Sequence, residues 1–153
     1  MSISQRVHLG PGRSATVLVV EDEVLVRMAL ADYLQDCGFG VIEAANADEA
    51  LAIVNAPSVR VDLVFSDVRM PGTMDGFGLA NWIREHRKDL PVILTSGDVG
   101  PKNIVRNVFP GEAFFAKPYR LDNVAAQITQ TLCRIFSTDQ DNFAEQNSTA
   151  TNG

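Results

Sequence analysis

Four short stretches hold the residues able to do chemistry: Glu21-Asp22-Glu23, Asp67, Thr95 and Lys117. Asp67 closes the apolar run Val61-Asp62-Leu63-Val64-Phe65-Ser66 and is followed by Val68-Arg69-Met70-Pro71-Gly72-Thr73-Met74-Asp75-Gly76. A carboxylate at such a strand end can act as a nucleophile or a metal ligand. Neighbouring carboxylates in a low-dielectric crevice repel unless a cation neutralises them. Hard oxygen ligands of this kind suit Mg²⁺. Lys117 offers a point charge for an anion, and Thr95 offers a hydroxyl donor. Carboxylate, Mg²⁺, ammonium and hydroxyl together make a phosphoryl-transfer site, where positioning and charge neutralisation carry the reaction. A lone loop acid would more simply be solvated. Matching chemistry at the other strand ends argues against that here.

The elements that must position these groups are legible in the pattern. Thr16–Val20 is a continuous apolar strand running into the acids. Val26, Ala29, Leu30, Tyr33, Leu34 and Cys37 recur at helical spacing, and Gly38 ends that helix. Phe39–Ala44 reads as a second strand, placed at an edge because it carries Glu43. Asn46 with Glu49 resembles a capping box and opens a helix that buries Ala47, Ala50, Leu51 and Val54. The Asp67 strand is third. A helix over 76–86 follows, with Phe77, Ala80, Ile83 and Arg87 near one face and Trp82 and His86 toward the outside. Leu90–Ser96 is the fourth strand. Gly97–Gly111 holds two Gly and two Pro, so its helix, the fourth, is short and weakly held. Ala113–Ala116 is the fifth strand, ending at Lys117-Pro118. Leu121, Val124, Ala125, Ile128, Leu132 and Ile135 form one stripe of the last helix. Alternating strands and helices predict a parallel α/β sheet covered on both faces, with the site at the strand carboxyl ends.

Bulk properties exclude several classes. The 153 residues favour one domain, and 46% hydrophobic residues suffice for a core. Net charge is −6, which argues against a nucleic-acid binder. No run of about 18 apolar residues predicts a membrane span, and residues 1–14 lack the apolar stretch of a secretory signal. Cys37 and Cys133 have no metal-ligand spacing and read as reduced thiols. A cytoplasmic location is expected. Residues 1–15 read as a flexible arm, 16–136 as the folded domain, and 137–153 as a polar, disordered tail too short for an output domain. A stand-alone module acting through a partner is therefore expected.

The combination resembles the receiver domains of two-component response regulators, in particular the chemotaxis-type stand-alone receivers. The residues carrying the resemblance are Val19-Val20-Glu21-Asp22-Glu23, Asp67 with Met70-Pro71-Gly72 and Met74-Asp75-Gly76, Thr95-Ser96, and Lys117-Pro118. The resemblance spans about residues 16–135. It implies a flavodoxin-like three-layer sandwich with strand order 2-1-3-4-5. It implies that Asp67 accepts a phosphoryl group from a phosphohistidine donor, on a sensor histidine kinase or a histidine phosphotransfer protein. Asp22, Asp67 and the backbone carbonyl of Arg69 would hold Mg²⁺ directly, and Glu21 through water. Lys117 would pair with Asp67, its bond to Pro118 being cis. Thr95 would bind the phosphoryl oxygen, and Phe114, on the outward side of the fifth strand, would rotate inward with it as a switch. With no hydroxyl to solvate, its ring would favour the inward rotamer more than Tyr even without phosphorylation. The downstream target would meet the fourth helix, the fifth strand and the last helix.

Four positions depart from the family pattern. Glu21 stands where Asp is more usual, Thr73 is an extra loop residue, Ser96 replaces a common Ala, and Phe114 replaces a common Tyr. None removes a required group. Other classes fit less well. A haloacid-dehalogenase-type phosphatase needs an acid where Arg69 stands, and a dinucleotide-binding domain needs a glycine-rich turn where Glu21-Asp22-Glu23 stand. The remaining alternative is a degenerate receiver acting only as an interaction module. The reading is of a phosphoacceptor that assists its own phosphorylation and dephosphorylation, not of a turnover enzyme.

Overall fold

The computed structural model describes residues 14–97 and 113–148, with side chains described to Ser137. The short helix expected within Gly97–Gly111 and most of the N-terminal arm lie outside the described residues. In chain order the described elements are β1 (Thr16–Val20), α1 (Val24–Asp36), β2 (Gly40–Ala44), α2 (Ala47–Asn55) and β3 (Leu63–Asp67). Then come α3 (Gly76–His86), β4 (Val92–Ser96), β5 (Phe114–Ala116) and a last helix, here α4 (Leu121–Ser148).

Strand alternation explains the layers. In β1, Leu18 and Val20 face one side and Val17 and Val19 the other. The first side packs against Ala47, Ala50 and Val54 of α2 and Leu79, Ala80 and Ile83 of α3. The second packs against Leu30 and Leu34 of α1 and Val124, Ile128 and Leu132 of α4. Each fully buried aliphatic side chain contributes about 1.5–3 kcal/mol. The sheet is parallel throughout, in the order β2-β1-β3-β4-β5. Five strands with helices on both faces form the flavodoxin-like arrangement, with β2 at one edge.

Local signals set the helix ends. Asn46 Oδ1 accepts from the Glu49 amide at 2.8 Å, and Glu49 Oε2 accepts in return from the Ala45 amide at 2.8 Å. The reciprocal cap is therefore real, but closes one residue earlier than the usual box. Asp75 caps α3 through the Gly78 amide at 2.9 Å. Gly38, at φ 98°, ends α1 in the left-handed region that favours glycine.

Four details differ from the sequence reading. First, Ala15 is buried and its carbonyl accepts from the Gly40 amide at 2.8 Å, so the arm's last residue belongs to the sheet edge. Second, α3 buries Leu79 with Ala80 and Ile83, whereas Phe77 is half-buried and Arg87 follows the helix end. Third, Phe114 starts from the inward side that a ring without a hydroxyl is expected to favour, and not from an outward position. It is half-buried and packs against the cluster containing Leu94. Fourth, α4 runs on to Ser148, so residues 137–148 are helical instead of a disordered tail. Polarity at 137–148 rules out a core there. It does not stop a helix already nucleated by packed turns from adding one bond per residue.

Candidate phosphoacceptor and metal site

Register brings the reactive residues to one edge. Asp67 pairs with Thr95, and Ser96 pairs with Ala116, one residue before Lys117. The Val68 amide donates to Thr95 O at 2.9 Å and the Lys117 amide donates to Ser96 O at 3.1 Å. The ladder thus extends one step past β3 and β4, and fixes where each side chain leaves the sheet. Glu21 is held likewise, its amide donating to Ala44 O at 3.0 Å. The Lys117-Pro118 bond is cis.

Lys117 ties the acids together. Its Nζ lies 3.0 Å from Asp67 Oδ2 and 3.4 Å from Glu21 Oε2. Asp67 and Glu21 are buried, at 6% and 4% exposure, while Asp22 is exposed. One carboxylate oxygen from each of Glu21, Asp22 and Asp67 falls within 4.8 Å of the other two. Burial, reinforced by hydrogen bonding to and repulsion from Asp67, pushes the Glu21 carboxyl up to about 7, although Lys117 pulls the other way. Burial alone would lower the Lys117 ammonium, but its bonds and charge interactions with Asp67 and Glu21 outweigh this and raise it.

This chemistry fits a hard divalent cation. Among the described residues, three acids converge against a single ammonium, and Glu21 Oε1 is buried with no hydrogen-bond partner. A buried carboxylate oxygen without a partner is costly, and a cation would satisfy it. Arg69 lies two residues beyond Asp67 in the exposed β3–α3 turn, where Gly72 adopts φ 122°. Thr95 is buried, and its hydroxyl donates to Phe115 O at 2.7 Å. Phe114, the other expected switch residue, sits one position before Phe115, on the opposite face of β5.

Three supporting residues were not singled out in the sequence. Arg27 Nη1 donates to the Glu21 carbonyl at 2.7 Å while its Nε pairs with Glu43 at 3.3 Å. Ser66 Oγ donates to the Asp67 carbonyl at 2.9 Å. Gly76 packs against the Asp67–Val68 backbone. For Arg27 a signal existed: a cation on α1 opposite Glu43, the one charge on β2.

An α/β sheet of this order, with three acids and a lysine converging at its carboxyl edge, is a chemotaxis-type receiver fold. The model of the response regulator receiver domain matches residues 17–129, and the chain belongs to that family, the receivers of two-component signalling. The sensor kinase CckA of Brucella abortus is 40% identical over 122 residues, which are 78% of this chain and 13% of that protein. The chain spans half or less of the length of CckA and two further curated relatives, at 13%, 31% and 50%. A CheY-like receiver from Methanospirillum hungatei superposes with a TM-score of 0.74 over 81% of this chain and 98% of that one. At 23% identity it bears on the fold alone. The response regulator TrrA of Thermotoga maritima, solved in complex with Mg²⁺-BeF, has a TM-score of 0.66 and 28% identity. That match covers 77% of this chain and 98% of TrrA. Among the described residues, no helix is long and apolar enough to cross a membrane.

Proposed function

We propose that Asp67 is the phosphoacceptor of a Mg²⁺-dependent phosphorylation switch or relay, fed by a sensor histidine kinase or a histidine phosphotransfer protein. The observation that carries this reading is the bridging of Asp67 and Glu21 by Lys117 beside a third acid. An Asp67 oxygen attacks phosphorus in line. The new P–O bond forms as the P–N bond breaks, and the electron pair returns to the imidazole nitrogen. Lys117 supplies a fixed counter-charge for the oxygens that gain charge, and Thr95 a hydroxyl donor one strand away. Glu21, Asp22, Asp67 and the Arg69 carbonyl are the groups to hold Mg²⁺, which when bound neutralises the phosphoryl oxygens. The TrrA complex with Mg²⁺-BeF supports this assignment by similarity.

Within this reading residues 16–136 form the working domain, in the cytoplasm. The protein acts through its target and turns over no substrate. The target surface comprises the segment between β4 and β5, strand β5 and α4. The test is incubation with acetyl phosphate, with and without Mg²⁺, followed by intact-mass and peptide analysis. One phosphoryl group on the Asp67 peptide, only with Mg²⁺ and absent in Asp67→Asn, is the expected result. A folded protein that takes up none under any condition would instead be an interaction module.

A further inference from the structure

Cations gather at the pole opposite Asp67, around the amino ends of β3 and β4. Two adjoining clefts of about 390 and 510 Å³ open there. Arg84, Arg87, Lys88 and Arg134 border the first, and Arg60 joins the last three of these around the second. Among the described residues only two carboxylates, Asp62 and Asp89, line the clefts. The lining is thus net positive by three charges, in a chain whose net charge is −6. Leu132, Ile135 and Phe136 add apolar wall to the second cleft. Such a surface suits an acidic partner that also brings apolar area.

The chain carries a segment of that chemistry. Helix α4 packs on the sheet through Ile128, Leu132 and half-buried Phe136, and then continues to Ser148. At 1.5 Å per residue, 137–148 reach about 18 Å beyond the body. They contain Asp139, Asp141, Glu145 and Phe143, and no Lys or Arg. A continuous helix cannot turn back onto clefts at its own base. Carried on from the packed turns of α4, the segment brings its carboxylates and Phe143 to that pole without a partner surface of its own chain there among the described residues.

We propose that the protein forms a two-fold symmetric homodimer in which residues 137–148 of each copy occupy the basic clefts of the other. The contact is self-complementary and closes, as an isologous interface must. Three carboxylates meet a pole carrying three excess positive charges, twice over. Both Asp67 sites stay at the outer ends, so the association is independent of the phosphorylation state.

Sedimentation equilibrium on the full chain tests this. A dimer is expected at micromolar concentration, weakening about tenfold or more as screening rises from low to high salt. Two charge-reversed chains sharpen the test. Asp139→Lys/Asp141→Lys/Glu145→Lys alone and Arg60→Glu/Lys88→Glu/Arg134→Glu alone should each be monomeric, because helix and clefts then repel. An equimolar mixture of the two should restore a dimer, since each helix again meets clefts of opposite sign. Circular dichroism establishes that each is folded. Should one fail to fold, Asp139→Asn/Asp141→Asn/Glu145→Gln serves instead, with about tenfold weaker association expected. A monomeric wild-type chain at the highest soluble concentration overturns the proposal. So does a reversed or neutralised chain that dimerises as the wild type does, or a folded mixture that stays monomeric.

Discussion

Gly76 lies against the backbone of Asp67. Its amide donates to Val68 O at 2.8 Å, and a Cβ at this position would strike the Asp67 carbonyl and come 2.7 Å from Val68 Cα. The obstructing atoms are backbone at the end of a central strand, where close packing leaves no room to yield. At Gly78, by contrast, a Cβ would meet Met74 Cγ at 2.8 Å, part of a flexible side chain. Gly76→Ala should therefore cost about 1–3 kcal/mol and displace the phosphoacceptor. Gly78→Ala should stay within about 1 kcal/mol of wild type, because alanine's helix propensity offsets the Met74 adjustment. Urea unfolding and phosphate incorporation on both variants check this. Equal behaviour of the two would refute the positional role of Gly76.

Glu21 makes the unloaded protein sensitive to pH. Its carboxyl titrates near 4.5 when unfolded and about 7 when folded, chiefly through burial and then through Asp67. Between those values the folded state binds more protons than the unfolded state, so stability falls as pH rises. The loss across the window is about 3 kcal/mol, complete slightly above pH 7. Cation binding needs the ionised carboxylate, so Mg²⁺ affinity should rise across the same window and then level off. Thermal melts in a chelator from pH 4.5 to 8 measure the first effect, and calorimetric Mg²⁺ titration the second. Glu21→Gln should flatten both profiles; an unchanged slope would rule Glu21 out as the titrating group.

Arg27 fixes the acids from behind. It joins α1 to the Glu21 carbonyl and to Glu43 on β2, with its side chain only 16% exposed. Arg27→Met should cost about 1.5–3 kcal/mol, the range for hydrogen bonds to charged groups. It should also weaken Mg²⁺ by roughly tenfold, as losses behind a metal ligand do. Arg27→Lys should restore little, since an ammonium cannot reproduce the guanidinium fork. Calorimetric Mg²⁺ titration of the folded variants separates the two effects. A destabilised Arg27→Met with unaltered Mg²⁺ affinity would leave Arg27 a structural role only.

Much of this arrangement was legible before any coordinates. Strands β1, β3 and β4 announced themselves because strands buried on both faces read as unbroken apolar runs. The acids, Thr95 and Lys117 stood out because each directly follows or ends such a run. Periodicity cannot rank residues that cap or support. Arg27, Ser66 and Gly76 each bond a backbone carbonyl close by in the chain, and a hydrophobic period carries no trace of such a bond. Helical patterning likewise missed Leu79, since the stripe traced for α3 started from Phe77. The helix at 137–148 was missed because composition reports core-forming power, whereas propagation from a packed helix depends on the turns before it.

Thr95 commits its hydroxyl to the neighbouring strand. Its Oγ1 donates to Phe115 O at 2.7 Å, across the register pair that also aligns Leu94 with Phe114. When Asp67 carries a phosphoryl group, a charged oxygen competes for that donor and wins, because charge-assisted hydrogen bonds are roughly twice as strong. Phe115 then loses a partner worth about 1 kcal/mol, and β5, only three residues long, is free to shift. Phe114 is already half-buried beside Leu94. Its ring should move deeper, gaining the lower part of the roughly 1.5–3 kcal/mol that full burial brings. Amide resonances of residues 114–117 should shift when beryllofluoride and Mg²⁺ are added. Thr95→Val keeps the shape but lacks the donor, so it should bind the mimic with far smaller shifts across β5. A Thr95→Val protein whose β5 responds as fully as the wild type would show that the threonine does not couple Asp67 to Phe114.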